Sequence, residues 1–144
     1  MMRLFAIFVA LFCLLYSCSA RSKQMEFEFV ASAPEFEAAT SEYRSIWASQ
    51  GDRIVEALGR YSGVQIPDRR VRIIVFEGTS NSGRSGGPLR LRASYFEPVK
   101  RATLSHELLH RYLDEVPDLG VCYPEIHDIM AVILFELWSE LWGA

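Results

Sequence analysis

His106-Glu107-Leu108-Leu109-His110 works as a unit in only one backbone conformation. On a helix of 3.6 residues per turn, side chains four positions apart stand about one turn above one another. Both imidazoles can then reach one tetrahedral metal ion. Glu107 projects beside the pair, where a carboxylate can take a proton from a water at the metal without being a ligand itself. The surrounding residues suit a helix from Pro98 to Asp114: Leu104, Leu108, Tyr112, Leu109, Ala102 and Leu113 fill one arc, with His106 and His110 at its border. Lys100 and Arg111 fall on the opposite side. The motif therefore lies where a core meets a cleft.

A catalytic zinc takes three protein ligands and leaves its fourth position to water. The chain contains three histidines, and the third, His127, follows His110 after sixteen residues on the next expected helix, Pro124 to about Trp142. There His127 shares a face with Leu134, Ala131, Trp138 and Leu141, whereas Glu125, Glu136 and Glu140 cluster around Ile129 and Val132. His127 is the expected third ligand, with Glu136 next and Glu125 after it. Asp114 lies eight residues from His106, about 12 Å along a helix, too far to ligate with both histidines. It is either an outer carboxylate that orients His110 or a helix-end acid in water. Trp138 and Trp142 are expected to pack against the first helix. Cys122 as a fourth ligand would close the site and make the metal structural.

The rest of the chain reads as strand, helix, strand, strand ahead of these two helices. Met25 to Val30 sets Phe27 and Phe29 against Glu26 and Glu28, the alternation of a half-buried strand. Ser32-Ala33-Pro34-Glu35 fits a capping box with Pro34 in the first turn. An apolar stripe from Phe36 to Tyr61 then predicts one long helix ending near Gly63, with Gly51 a place to break or bend it. Val71 to Phe76 is a β-branched and aromatic run expected to be covered on both faces, and Pro88 to Ser94 alternates Leu89, Leu91 and Ala93 inward against Arg90 and Arg92 outward. Between them Gly78 to Gly87 is a glycine- and serine-rich loop. The expected class is α+β: a long N-terminal helix, a short mixed sheet with an exposed edge strand, and two C-terminal helices carrying the metal ligands.

Length sets the scale: 144 residues suffice for one core and are too few for two ordinary domains. Met1 to Ala20, with Arg3 ahead of an apolar run from Leu4 to Tyr16, reads as an export signal, leaving 21–144 as a single domain. Leu15-Tyr16-Ser17-Cys18 resembles a bacterial lipobox, with Cys18 as the lipidated residue and the membrane as a partner through that anchor; a plain cleaved leader is the rival reading. Losing the leader removes Arg3 and no acid, moving the formal charge from −3 to −4, a poor balance for binding nucleic acid. Cys122 is then the only cysteine of the body, so no internal disulfide can form.

The His106–His110 motif, followed by a helix offering another ligand, resembles the zincin superfamily of metallopeptidases in a small, minimal form, over roughly residues 71–142. The metzincin extension is absent, since Leu113 and Val116 stand where it has Gly and His. The resemblance implies hydrolysis of peptides or proteins at a zinc ion, with Glu107 activating water and passing its proton to the leaving amine. It implies a hydroxyl donor for the oxyanion, Tyr95 or Tyr123, and a substrate-facing edge strand through Leu89, Arg90, Leu91 and Arg92. The competing expectation is an exported zinc lipoprotein that binds or assembles without turnover.

Overall fold

Alternation of Phe27 and Phe29 with Glu26 and Glu28 yields the first strand, β1 (Glu26–Ala31), in the computed structural model of the chain. The structure describes residues 25–64, 70–83, 86–114, 116 and 123–143, the side chains of Tyr123 and Pro124 excepted. A 3-10 turn at Pro34–Phe36 leads into α1 (Glu37–Ser62). β2 (Arg70–Phe76) and β3 (Leu89–Arg92) follow, then α2 (Glu97–Leu113) and α3 (Tyr123–Trp142). Three helices on a small three-stranded sheet make the domain α+β.

The named strands lie in the order β1-β2-β3 and are all parallel, Phe29 opposite Ile73 and Val75 opposite Leu91. This corrects the expected mixed sheet. A period of two says which side chains share a face, and it is the same read in either direction along a strand. The single antiparallel element among the described residues is the bridge Asn81–Arg90, where the segment after β2 folds back along β3. Val71, Ile73 and Val75 of β2 are buried, while Arg70 and Arg72 on the other face are exposed, so β2 is fully covered on one face only.

α1 lies across the core face. Tyr43, Ile46, Ile54 and Leu58 are buried on it together with Phe29, Ile73 and Leu91, and each such side chain contributes about 1.5–3 kcal/mol of burial free energy. Its two ends differ from and match expectation respectively. At the N-terminus the 3-10 turn starts from Ala33 and α1 itself from Phe36, neither with a side-chain cap, so the capping box does not form. At the C-terminus Gly63 closes the helix in the left-handed conformation, φ 68°. The helix also continues unbroken through Gly51, and packing is the reason glycine stands there: a Cβ would lie 2.7 Å from the Trp47 ring. That ring stacks on Phe27 with centroids 3.8 Å apart, joining α1 to β1.

α2 and α3 begin and end within a residue or two of expectation, because both carry sustained 3.6-residue periods. Lys100 departs from its expected solvent side. It is 2% exposed, pairs with Glu42 of α1 and sits over the Tyr43 ring, a partner fifty-eight residues away that no local pattern reveals. No helix among the described residues is long and apolar enough to cross a membrane.

Candidate metal centre

Two helices bring three imidazoles together. His106 and His110 stand a turn apart on α2, ring centroids 4.8 Å apart, and His127 of α3 lies 6.5 Å from the first and 4.9 Å from the second. One ligand nitrogen from each lies within 4.8 Å of the others. Nitrogens bound tetrahedrally at 2.0–2.1 Å sit about 3.4 Å apart, so modest side-chain rotations close the set around an ion. The three histidines can therefore hold a metal ion.

His127 is aimed by the packing of its helix. Met130, Ile133, Leu134 and Leu137 bury one side of α3 in the core. Trp138, eleven residues on and within about 20° of the same direction, donates its indole N–H to Ser105 Oγ at 2.9 Å. Ser105 is fully buried and immediately precedes His106. This bond fixes the rotation of α3 against α2, and with it the approach of His127. At the far end Trp142 Nε1 donates to Gln50 at 2.6 Å, and Arg60 reaches both oxygens of Glu140 at 2.7 Å. Trp142 thus packs on α1 as expected, whereas Trp138 is bonded to α2 and lines the cleft.

Electrostatics prepare these groups for ligation. Burial holds the His110 imidazole down at about 4, assisted by His106 and His127 and opposed by Asp114; burial, then His127, lowers His106 as well. Both rings are consequently neutral near pH 7, the form that binds metal. Glu107 is 8% exposed, and burial pushes its carboxyl up to about 7. A carboxyl poised there is matched to proton transfer at neutral pH.

That strain has a measurable consequence for the metal-free protein. Glu107 is raised in the folded state from an ordinary 4.5, so the stability it contributes is complete below pH 4.5 and is lost as pH rises through about 7. His110 acts in the other sense: its contribution is present above 6.5 and is lost as pH falls toward about 4. Glu107→Gln removes only the first effect. The metal-free variant is expected to melt higher than the native protein at pH 8, by on the order of 4 °C, with the gap closing at pH 5. Thermal denaturation in chelator at both pH values checks this, and equal melting temperatures at pH 8 would contradict it.

The centre opens on two hollows. One of ≈ 540 Å³ is lined by Ser80, Asn81, Ser82 and Gly83 together with His106, Glu107, His110 and Asp114. The other, of ≈ 320 Å³, is lined by Thr79, Ser80, Tyr95, Ala102, Thr103 and Trp138 beside His106 and Glu107. Tyr95, the first expected hydroxyl donor, therefore borders the site. Asp114 reaches the cavity and acts on His110 through its charge, with no side-chain hydrogen bond between them.

Other expected site residues are placed elsewhere. Glu136 is exposed on the far side of α3, roughly 180° round from His127, and neither it nor Glu125 joins the cluster. β3 is not a free edge: Leu89 and Leu91 are fully buried, and Arg90 exchanges backbone bonds with Asn81 at 2.9 and 3.0 Å. The Arg92 N–H donates to Ser80 Oγ at 3.0 Å. The wall of the cleft is therefore Thr79 to Gly83 and not Leu89 to Arg92. Met1 to Ala20, Cys18, Cys122 and the Tyr123 side chain lie outside the described residues.

Sequence reasoning missed how that wall is held. Arg111, expected in solvent, donates through Nη1 to the carbonyls of Ser82, at 3.1 Å, and Gly87, at 2.6 Å. Gly83 has φ +67°, and a Cβ there would lie 2.2 Å from the Pro88 oxygen, so only glycine fits. The glycines of this loop were the legible signal.

Comparison with protein-family models, with curated proteins and with solved structures finds no match to this chain.

Proposed function

We propose that this protein is a zinc-dependent hydrolase of peptide bonds with Glu107 as its general base. The observation that supports the reading is the convergence of His106, His110 and His127 beside a buried carboxyl, at an open cavity of ≈ 540 Å³. Three imidazole nitrogen donors and an approach for a small molecule suit a catalytic zinc better than a closed structural one. When bound, zinc supplies Lewis acidity, polarising a carbonyl and acidifying water.

The chain's own groups supply the rest. Glu107, buried and not among the clustered ligands, takes a proton from the attacking water and returns it to the leaving amine. Tyr95, bordering the second hollow, is the hydroxyl available to the oxygen on which charge develops. An extended peptide lies along Thr79 to Gly83, and the hollow between Tyr95, Ala102 and Trp138 receives an apolar side chain.

Metal content by plasma mass spectrometry, on protein lacking the leader and any metal-binding tag, tests the reading. One zinc per native chain is expected, absent from His106→Ala, followed by cleavage in a mixed peptide library. No zinc in either protein would sink the proposal.

A further inference from the structure

α3 is apolar on two sides. Met130, Ile133, Leu134 and Leu137 fill the core, while Ile129, Val132 and Phe135 recur every third residue on the outer side and are 37%, 66% and 63% exposed. Phe96, ahead of α2, is the one other exposed large hydrophobic among the described residues. A helix apolar on both sides is the pattern of one covered on both, and three neighbouring exposed side chains of this size form a patch of the kind that marks an interaction site. The same outer face carries Asp128 and Glu136, both exposed and in no ion pair or hydrogen bond among the described residues.

Those two acids select the occupant. If two copies of this chain packed their α3 helices antiparallel about Val132, each Asp128 would meet the other copy's Glu136; parallel packing would set like residue on like. Both arrangements place equal charges together. Three side chains also fall well short of the roughly 800 Å² per partner of a stable dimer. An anionic bilayer is repelled for the same reason. A helix with an apolar stripe and basic flanks meets every requirement: its apolar residues lie against Ile129, Val132 and Phe135. Its cations face Asp128 and Glu136, eight residues and therefore about 12 Å apart.

We propose that the Ile129–Val132–Phe135 face of α3 is a docking surface for a basic amphipathic helix of another protein. Val132 lies about 140° round the helix from His127, so docking and occupation of the metal centre are compatible.

Two synthetic helical peptides with the same apolar stripe, one flanked by lysines and one by glutamates, test the proposal by fluorescence anisotropy on the leaderless protein. The lysine peptide is expected to bind at least about tenfold tighter than the glutamate peptide and to weaken with added salt. Phe135→Ser, an exposed change that leaves circular dichroism unaltered, is expected to weaken binding about tenfold or more. The pair Asp128→Lys and Glu136→Lys is expected to reverse the preference between peptides. Absence of binding at millimolar peptide, equal binding of both peptides, or indifference to Phe135→Ser would overturn the proposal. So would a dimer in sedimentation, or flotation with phosphatidylcholine vesicles, that Phe135→Ser abolishes, since each names a different occupant.

Discussion

Glu107→Gln is expected to lower peptide hydrolysis by about 10²- to 10⁴-fold while the protein keeps one zinc per chain. The substitution preserves size and hydrogen-bonding reach and removes only the group that accepts a proton. Because Glu107 is not among the three clustered ligands, metal content has no reason to change. The same variant is the one expected to gain stability at pH 8 without metal, since it no longer holds an ionised carboxyl in a buried place. Loss of activity together with a raised melting temperature separates a missing base from a damaged fold. Activity retained within about tenfold would remove Glu107 from the chemistry.

His127→Ala is expected to have the second large effect, loss of stoichiometric zinc. Two imidazoles on α2 remain, one donor short of the protein set that a catalytic zinc takes. Losing even an outer-shell partner weakens metal binding about 10–100-fold, and losing a ligand exceeds that. Zinc bound between α2 and α3 also stabilises the folded state by mass action. A chelator should therefore lower the melting temperature of the native protein and leave that of His127→Ala unmoved. One zinc retained by the variant would mean another third ligand. Glu136 could serve only if α3 turned by about half a revolution, breaking the Trp138–Ser105 bond.

Much of the centre was legible along the chain. His106, Glu107 and His110 carry their geometry in their spacing. His127 was separable from Glu136 because a helical wheel assigns them to opposite sides, and the side shared with Leu134 and Trp138 proved to be the one turned to α2. Helix limits were legible for the same reason, down to Gly63 as the end of α1. Ser32 to Glu35 was misleading: Pro34 opens a 3-10 turn from Ala33, and the capping pattern has no helix end at the right register to cap.

Contacts between segments far apart in sequence were the illegible part. Alternation in Leu89 to Ala93 predicted which side chains point inward, and Leu89 and Leu91 do. It carried no information on strand direction, nor on the return of Asn81 along Arg90, which covers the outer side of the edge strand β3. Lys100 and Arg111 read as solvated because their partners, Glu42 and the carbonyls of Ser82 and Gly87, come from other elements.

By itself, then, the sequence determined the helices, their apolar faces, the α+β class and the three imidazoles able to meet at one ion. The helices and their faces follow from short-range periodicity, where the residues concerned lie within a few turns of one another, and the third imidazole from the face of its own helix on which His127 stands. The tertiary structure alone decided the parallel sheet, the Thr79 to Gly83 wall of the cleft, the Trp138–Ser105 bond that aims His127, and the burial that readies Glu107. Those depend on what a face meets once the chain has closed on itself, and periodicity says only that a face is there to be met.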